Sequence, residues 1–340
     1  MPSALITGSA GFIGFHLCQR LLQDGWTVTG FDAVTDYYDV KLKHRRLEML
    51  AEYPQFTQVT QRLESPGCLS KVFADTKPDL VVHLAAQAGV RYSIDHPETY
   101  VNSNLIGTFR LLEAARHTPV KHLMLASTSS VYGANTDMPY GETDKADSQM
   151  SFYAATKKAN EAMAHSYAHL YNIPTTMFRF FTVYGPWGRP DMAHFKFTKA
   201  ILNGDPIDIY NHGKMRRDFT YIDDLVEAIH RLSDVAPTAP GSNRTAIAHD
   251  NLSSVAPFRV VNIGNSQPTG LMEYVSAIEQ AIGQTAQKNF HPMQPGDVPE
   301  TYADTALLRE LTGFTPSTSV ADGIAKFVKW YREYYAVVSR

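Results

Sequence analysis

Residues 8–14 read Gly8-Ser9-Ala10-Gly11-Phe12-Ile13-Gly14 and lie between a short apolar stretch, residues 4–7, and a helical pattern over Phe12–Gln23. A turn of this composition lets the backbone approach a pyrophosphate closely, and the helix N-terminus offers free N–H groups and the positive end of its dipole. The spacing G-x-x-G-x-x-G is a variant of the dinucleotide fingerprint, and its place between strand and helix gives it weight. A turn that only packs closely is the alternative.

Asp32 ends the second predicted strand, residues 27–31, and follows Gly14 by 18 positions. An acid at this place accepts hydrogen bonds from the adenine ribose hydroxyls and repels a 2′-phosphate, which favours NAD over NADP. An ordinary turn aspartate is the alternative. Nearby cations would welcome a phosphate instead, but we expect most of them on a solvated helix face: Lys41, Lys43, Arg45 and Arg46.

The first half of the chain alternates between strand and helix patterns. Strands are predicted at residues 80–84, 122–126 and 175–181, and helices at residues 100–116 and 153–171. Such alternation is typical of a parallel, doubly wound sheet. We therefore predict an α/β protein with a Rossmann sheet.

After about residue 181 the pattern changes, and proline, glycine and aromatic residues become dense through residues 184–190. Short strands then mix with helices, which predicts a smaller mixed α/β C-terminal lobe for the substrate. The expected division is residues 1–182 and 183–340, with some segments interleaved between the two. Residues 235–257 show no period, and we expect a mobile surface insertion there.

Composition narrows the possible partners. The 340 residues carry a net charge of −3, and 44% are hydrophobic. No basic face or apolar run of about 18 residues points to a nucleic acid or a membrane. Neither a P-loop, an H-E-x-x-H motif nor a cysteine cluster is present, so no metal is expected. Cys18 and Cys68 form no close motif, and a reducing cytoplasm is the predicted location.

Tyr153-Ala154-Ala155-Thr156-Lys157 gives the spacing Y-x-x-x-K. Residues four apart share a helix face, so the Lys157 ammonium can lie near the Tyr153 phenol. A positive charge favours the phenolate and is expected to lower the pKa of the tyrosine from ~10 towards neutral pH. A tuned tyrosine can remove a proton from a sugar hydroxyl while hydride leaves the carbon.

Tyr37/Lys41 and Tyr210/Lys214 have the same spacing, so spacing alone does not identify a catalytic pair. Tyr153/Lys157 is chosen for its position in the predicted fold. Tyr153 opens a long helix shortly after the strand at residues 122–126. That strand ends in the hydroxyl cluster Ser127-Thr128-Ser129-Ser130, at the carboxyl edge where doubly wound sheets bind ligands. A surface Tyr/Lys pair is the alternative.

Together these features resemble the extended short-chain dehydrogenase/reductase superfamily, in its sugar-nucleotide epimerase/dehydratase branch, over nearly the whole chain. Further strings carry the resemblance: His83-Leu84-Ala85-Ala86, Asn104-x-x-Gly107-Thr108, the region from Arg179 to Pro186, and Arg217-Asp218-Phe219. The resemblance implies a catalytic triad of Thr128, Tyr153 and Lys157. It implies a cofactor site of Gly8, Gly11, Phe12, Ile13, Gly14, Asp32, Lys43, Leu84, Ala85, Ala86, Gln87, Asn104 and Ser127, together with Tyr153 and Lys157. It also implies a substrate site of Arg91, Thr128, Ser129, Ser130, Tyr153, Thr182, Arg189, Arg217 and Asp297.

Three strings are similar to those of UDP-glucuronate 4-epimerases, namely residues 87–93, 187–193 and 292–299. A uronic acid carries a carboxylate that needs cationic and hydroxyl partners. Arg189 and Thr182 are candidates, although Arg189 can instead pair with Asp191. Many relatives carry an aspartate near position 62 and an asparagine directly after the ribose aspartate, where this chain has Arg62 and Ala33. Both departures affect the details of adenine binding.

The resemblance implies reversible C4 epimerisation of UDP-glucuronate and UDP-galacturonate through a 4-keto sugar, with retained NAD. Relatives that dehydrate or decarboxylate place acids beside the threonine, where this chain has Ser129 and Ser130. Another NAD-dependent UDP-sugar epimerase, a UDP-glucuronate decarboxylase and a non-catalytic dinucleotide sensor are the alternatives. A homodimer is also implied, through helices near residues 100–116 and 153–171.

Overall fold

Parallel strands form the main sheet of the computed structural model, which describes residues 1–242, 247, 249–294 and 298–338. In chain order the strands are β1 (Ser3–Thr7), β2 (Thr27–Asp32), β3 (Phe56–Thr60), β4 (Leu80–His83), β5 (His122–Ala126), β6 (Thr175–Phe180), β7 (Thr182–Tyr184), β8 (Ile207–Ile209), β9 (Arg216–Tyr221), β10 (Phe258–Ile263), β11 (Pro268–Gly270), β12 (Lys288–Phe290) and β13 (Glu300–Thr301). The helices are α1 (Phe12–Gln23), α2 (Val40–Ala51), α3 (Cys68–Thr76), α4 (Tyr92–Asp95), α5 (Pro97–Tyr100), α6 (Gly107–His117), α7 (Phe152–Tyr171), α8 (Ala193–Asn203), α9 (Ile222–Ser233), α10 (Leu271–Ile282), α11 (Ala306–Thr312) and α12 (Val320–Val338).

The main sheet has seven strands in the order β10-β6-β5-β4-β1-β2-β3. All neighbours are parallel, with Leu5 of β1 opposite both Thr29 of β2 and Val81 of β4. Strand order reverses between β1 and β4, and doubly wound sheets bind ligands outside the carboxyl ends of the strands at such a reversal. The predicted Rossmann sheet is confirmed.

Buried apolar residues lie on both faces of this sheet, as a doubly covered parallel sheet requires. Every residue of β5 and β6 is buried. One core includes Phe15 and Leu21 of α1, and the other includes Leu111 of α6 and Phe73 of α3. The helices therefore hold the strand ends in fixed positions, which is what a site at the carboxyl edge needs.

A second, smaller sheet is built around β9. It pairs in parallel with β7 and β13 and antiparallel with β11, while β8 and β12 form a separate parallel pair. β10 comes after β9 in the chain and yet joins the main sheet beside β6. A division of the domains at residue 182 stays a prediction.

The helix predicted over residues 100–116 is interrupted. α5 is followed by a π-helical segment, Val101–Ile106, and then by α6. Short π-helical segments occur often at functional sites, and this one carries the buried Asn104. The periodicity of the sequence does not reveal it, because a single wide turn barely shifts the apolar stripe.

The insertion expected over residues 235–257 lies partly outside the described residues, which omit 243–246 and 248. Its described part is tied to β10. Asp250 pairs with Arg259 at 2.8 Å, and Asn251 exchanges two hydrogen bonds with the backbone of Val260. In the described part of the chain, no helix is long and apolar enough to cross a membrane.

Candidate active site

The glycine turn between β1 and α1 leaves no room for side chains. Gly8 has a φ of +80°, and a Cβ there would lie 2.8 Å from the Ala85 amide nitrogen. A Cβ on Gly14 would overlap the Gly8 carbonyl oxygen. No side chain caps the start of α1, so its first N–H groups are free to bind an anion. These features fit the diphosphate of a dinucleotide.

Asp32 lies at the end of β2, close to this turn. Its carboxylate accepts hydrogen bonds from the Ala10 amide at 3.1 Å and the Val34 amide at 2.7 Å. Burial raises the pKa of Asp32, while the two amides and the Lys43 charge oppose the rise. The Lys43 ammonium donates to the Thr35 carbonyl at 2.6 Å. Asp32 is therefore held rigidly by backbone donors, as a ribose-binding acid should be.

The expectation of a solvated face on α2 is wrong for two of its cations. Lys43 is 5% exposed and Arg46 is fully buried, whereas Lys41 and Arg45 are exposed. The Arg46 guanidinium donates to the Ala10 carbonyl at 2.7 Å and to the Trp187 carbonyl at 2.5 Å, and also to the Tyr38 hydroxyl. Carbonyls from distant segments satisfy this charge, and the local sequence carries no sign of them.

One cavity of about 1180 Å³ runs from the glycine turn to the second sheet. Its wall includes the carboxyl ends of β1, β2, β4 and β5 and parts of β7, β8 and β9. The structure places these predicted site residues in that wall: Gly8, Gly11, Phe12, Ile13, Gly14, Asp32, Lys43, Leu84, Ala85, Ala86, Gln87, Arg91, Ser127, Thr128, Ser129, Ser130, Tyr153, Lys157, Thr182, Arg189 and Arg217.

Asn104, predicted to bind the cofactor, does not line the cavity. Its side-chain oxygen accepts from the Gln87 amide at 2.8 Å, and its amide group donates to the Gln87 carbonyl and to Thr156, each at 3.1 Å. It therefore joins the loop after β4 to α7. In this structure Asn104 positions Gln87 instead of contacting the cavity.

The predicted triad meets at the carboxyl end of β5. Ser151 caps α7 by accepting from the Ala154 amide at 3.1 Å, which fixes Tyr153 at the start of the helix. Burial raises the pKa of Tyr153, while a hydrogen bond from Thr128 and the charge of Arg189 oppose the rise. The expected lowering of this pKa by Lys157 is not found, because burial outweighs the opposing groups and Lys157 is not one of them. The Lys157 ammonium donates to the Ala126 carbonyl at 2.6 Å.

Behind the triad lies a buried ion pair that the sequence analysis missed. Glu161 accepts two hydrogen bonds of 2.9 Å from Arg179 on β6 and one of 2.6 Å from Ser127. Burial lowers the pKa of Lys157 to about 8, and the Glu161 charge opposes that change. Two features of the sequence point to this pair. They are the charged Arg179 within an otherwise buried strand and the acid that follows Lys157 by four residues.

The part of the cavity beside Thr128 carries several hydroxyls and Arg189. Thr128 accepts from the Ser130 amide at 3.2 Å, and Thr182 begins β7. Arg189 forms two hydrogen bonds with Asp191, at 3.0 and 2.8 Å. The pairing with Asp191 that the sequence left open is thus present, and Arg189 still lines the cavity.

Arg91 and Arg217 line different parts of the cavity wall. The Arg91 guanidinium, after β4, lies 5.5 Å from the centre of the Tyr210 ring, after β8. Arg217 donates to the Val298 carbonyl at 2.6 Å. Asp297, predicted to bind the ribose, lies outside the described residues. Next to Arg217, the fully buried Asp218 accepts from three backbone amides.

Comparisons with known proteins point to one family. A model described as the NAD dependent epimerase/dehydratase family matches residues 4–243. A probable UDP-glucuronate 4-epimerase of Rhizobium meliloti (strain 1021) is 57% identical over 331 residues, which is 97% of each chain. UDP-glucuronate 4-epimerase 6 of Arabidopsis thaliana is 44% identical over 99% of this chain and 73% of its own.

A solved structure agrees with these matches. The UDP-glucuronic acid 4-epimerase from Bacillus cereus, in complex with UDP-glucuronic acid and NAD, superposes with a TM-score of 0.87. It is 32% identical, and the match covers 98% of this chain and 100% of that one.

Proposed function

Because the chain belongs to the NAD-dependent epimerase/dehydratase family, we propose that it interconverts UDP-glucuronate and UDP-galacturonate by inverting C4, with NAD retained through the cycle. One observation carries the proposal: the Tyr153/Lys157/Thr128 group, Arg189 and the glycine turn share one cavity. The cavity therefore combines a dinucleotide cradle, a proton acceptor and a cation for a uronate.

Tyr153 takes the proton from the sugar O4 and later returns it, while Thr128 hydrogen-bonds the same oxygen. The residue 8–14 turn and Asp32 would hold NAD, which would supply the acceptor and donor for hydride at C4. Lys157, four residues after Tyr153 on α7, supplies a positive charge on the same helix face, which stabilises the phenolate as it forms during proton transfer. Between the two transfers the keto sugar turns about its diphosphate link and presents its other face, so that C4 is inverted.

Retention of the carboxylate is the second requirement, because the 4-keto intermediate is a β-keto acid that loses CO2 readily. Arg189 and Thr182 hold the carboxylate so that its bond to the ring stays away from the angle that favours loss. Ser129 and Ser130 stand where acids would be expected in a dehydratase or decarboxylase. These features favour epimerisation over the two sister reactions. The intact triad argues against a dinucleotide sensor without chemistry.

A homodimer in the cytoplasm completes the proposal. Large apolar side chains are exposed at the start of α6 and along α7, which pack together. Phe109 is 39% exposed, Phe152 40% and Leu170 63%. Exposed apolar side chains on two helices that pack together support an interaction surface there, and a second copy of the chain is the expected partner. The free thiols of Cys18 and Cys68 suit a reducing compartment.

Incubation of the purified protein with UDP-glucuronate, without added NAD, tests the proposal. We expect UDP-galacturonate alone, separated by chromatography. A UDP-pentose would indicate a decarboxylase, and the absence of product even with NAD would refute a reaction on this substrate. Tyr153→Phe should retain bound NAD and lose roughly 10²–10⁴-fold in turnover, the range for general acid–base catalysis. Unchanged turnover would show that Tyr153 is not the base.

A further inference from the structure

Arg189 belongs to a chain of polar contacts that crosses the cavity. Asp191 binds its Nε and Nη2 atoms at 3.0 and 2.8 Å. The Tyr37 hydroxyl, from the segment after β2, donates at 3.4 Å to Asp191 Oδ2, the same oxygen that accepts from Nη2. Tyr37 fits there because Gly89 has no side chain, and a Cβ at Gly89 would lie 3.0 Å from the Tyr37 hydroxyl. The dinucleotide lobe and the sugar lobe thus both hold Asp191.

The guanidinium has two edges, and Asp191 occupies only one of them. Nη1 has no hydrogen-bond partner among the described residues, and Arg189 and Asp191 keep 24% and 29% of their side-chain surface exposed. A guanidinium binds a planar carboxylate with two parallel hydrogen bonds along one edge. The remaining edge, Nη1 with Nη2, meets no carboxylate among the described residues. Its Nη2 also donates to the Met192 sulfur at 3.7 Å, a weak contact that a second carboxylate would replace.

We propose that Asp191 is a positioning residue that sets the angle of Arg189, so that its second edge holds the substrate carboxylate and suppresses loss of CO2. This inference rests on the proposed function. Tyr37 supports Asp191 from the opposite lobe. The uronate specificity of the cavity thus depends on a carboxylate that does not itself bind the sugar.

The side reaction that Asp191 suppresses can be written explicitly. In the 4-keto intermediate the C5–C6 bond breaks, CO2 leaves, and the electron pair of the bond forms an enolate over C5, C4 and the ketone oxygen. A proton from solvent then adds to C5 and gives a UDP-4-ketopentose. The bond breaks fastest when it stands perpendicular to the C4 carbonyl plane. A carboxylate that is not held in place lets the C5–C6 bond reach that angle more often, and CO2 is then lost.

Asp191→Asn tests the inference, because asparagine keeps the shape but turns one acceptor oxygen into a donor that faces the arginine. We expect KM for UDP-glucuronate to rise roughly tenfold, which corresponds to about 1.4 kcal/mol, with a smaller change in kcat. UDP-pentose or UDP-4-ketopentose should appear among the products. Tyr37→Phe should also raise KM and the share of decarboxylated product, but by smaller amounts, since it removes one long hydrogen bond.

Asp75→Asn is the control, because its substitution removes the same charge from an exposed ion pair with Lys71 that lies outside the cavity. It should leave KM and the product ratio close to wild type. A lower KM in Asp191→Asn would show that Asp191 competes with the sugar carboxylate, and unchanged KM and products would show no role. Either result overturns the inference. If the wild-type protein makes no UDP-galacturonate, the proposed function itself fails.

Discussion

Glu161→Gln removes a buried charge with little change of shape. The side chains of Glu161 and Arg179 are 5% and 3% exposed, and the carboxylate receives hydrogen bonds from Arg179, Ser127 and Lys158. Removal of one partner from a buried ion pair costs about 3–5 kcal/mol, because the other charge stays buried and unpaired. Glutamine keeps one acceptor oxygen, so we expect the lower end, a loss of about 3 kcal/mol in the free energy of unfolding.

Urea unfolding followed by circular dichroism, at one fixed NAD concentration, measures this loss. Glu48→Gln is the control, since it breaks the Arg45–Glu48 pair, whose side chains are 52% and 62% exposed. That variant should lose less than about 0.5 kcal/mol. The double variant Glu161→Gln/Arg179→Met should lose less than the sum of its two single changes. A loss below about 1 kcal/mol in Glu161→Gln would refute the assignment of a strong buried pair.

Two further predictions concern the cofactor turn and the pH dependence of stability. Gly14→Ala should purify with little bound NAD, because its Cβ would overlap the Gly8 carbonyl. The control Gly270→Ala, whose Cβ meets nothing within 4 Å, should keep the NAD content of the wild type. Equal NAD content in the two variants would contradict the role of the residue 8–14 turn in binding NAD. Burial raises the pKa of Glu142 to about 7, so the folded state favours the protonated acid. Its contribution to stability is full below about pH 4, near the unfolded pKa, and is lost as pH rises towards 7. As pH rises from 5 to 8, the free energy of unfolding should fall less in Glu142→Gln than in the wild type. Parallel curves of unfolding free energy against pH would exclude this role for Glu142.

Features coded within a short stretch of sequence were predicted well. The glycine turn determines the first strand and helix, and the predicted helix Phe12–Gln23 has the observed bounds. The hydroxyl cluster at residues 127–130 and the pair four residues apart on α7 converge because parallel strands end at one edge of a sheet. A correct order of strands is therefore enough to predict that these groups lie close together.

Features that depend on distant partners were not predicted. Arg46 looked like a surface residue because α2 is rich in charge, and its carbonyl acceptors come from residues 187–188. Glu161 and Arg179 meet across a helix and a strand, and the local partner of Glu161, Lys158, gives no indication of Arg179. Asn104 was assigned to the cofactor, whereas its hydrogen bonds reach the backbone of Gln87. In each case a tertiary contact determines the role of a polar side chain.

The buried guanidinium of Arg46 has a consequence for when the active site becomes ordered. One rigid group holds both the Ala10 carbonyl in the dinucleotide turn and the Trp187 and Gly188 carbonyls in the loop before Arg189. A ligand that orders one of these two loops therefore also favours the ordered arrangement of the other loop. This coupling is reciprocal between the ligands that bind at the two loops. A cofactor that stays bound for many turnovers would then keep the sugar loop in place between substrates. With the cofactor retained as proposed, each incoming substrate would meet a loop that Arg46 already holds in place.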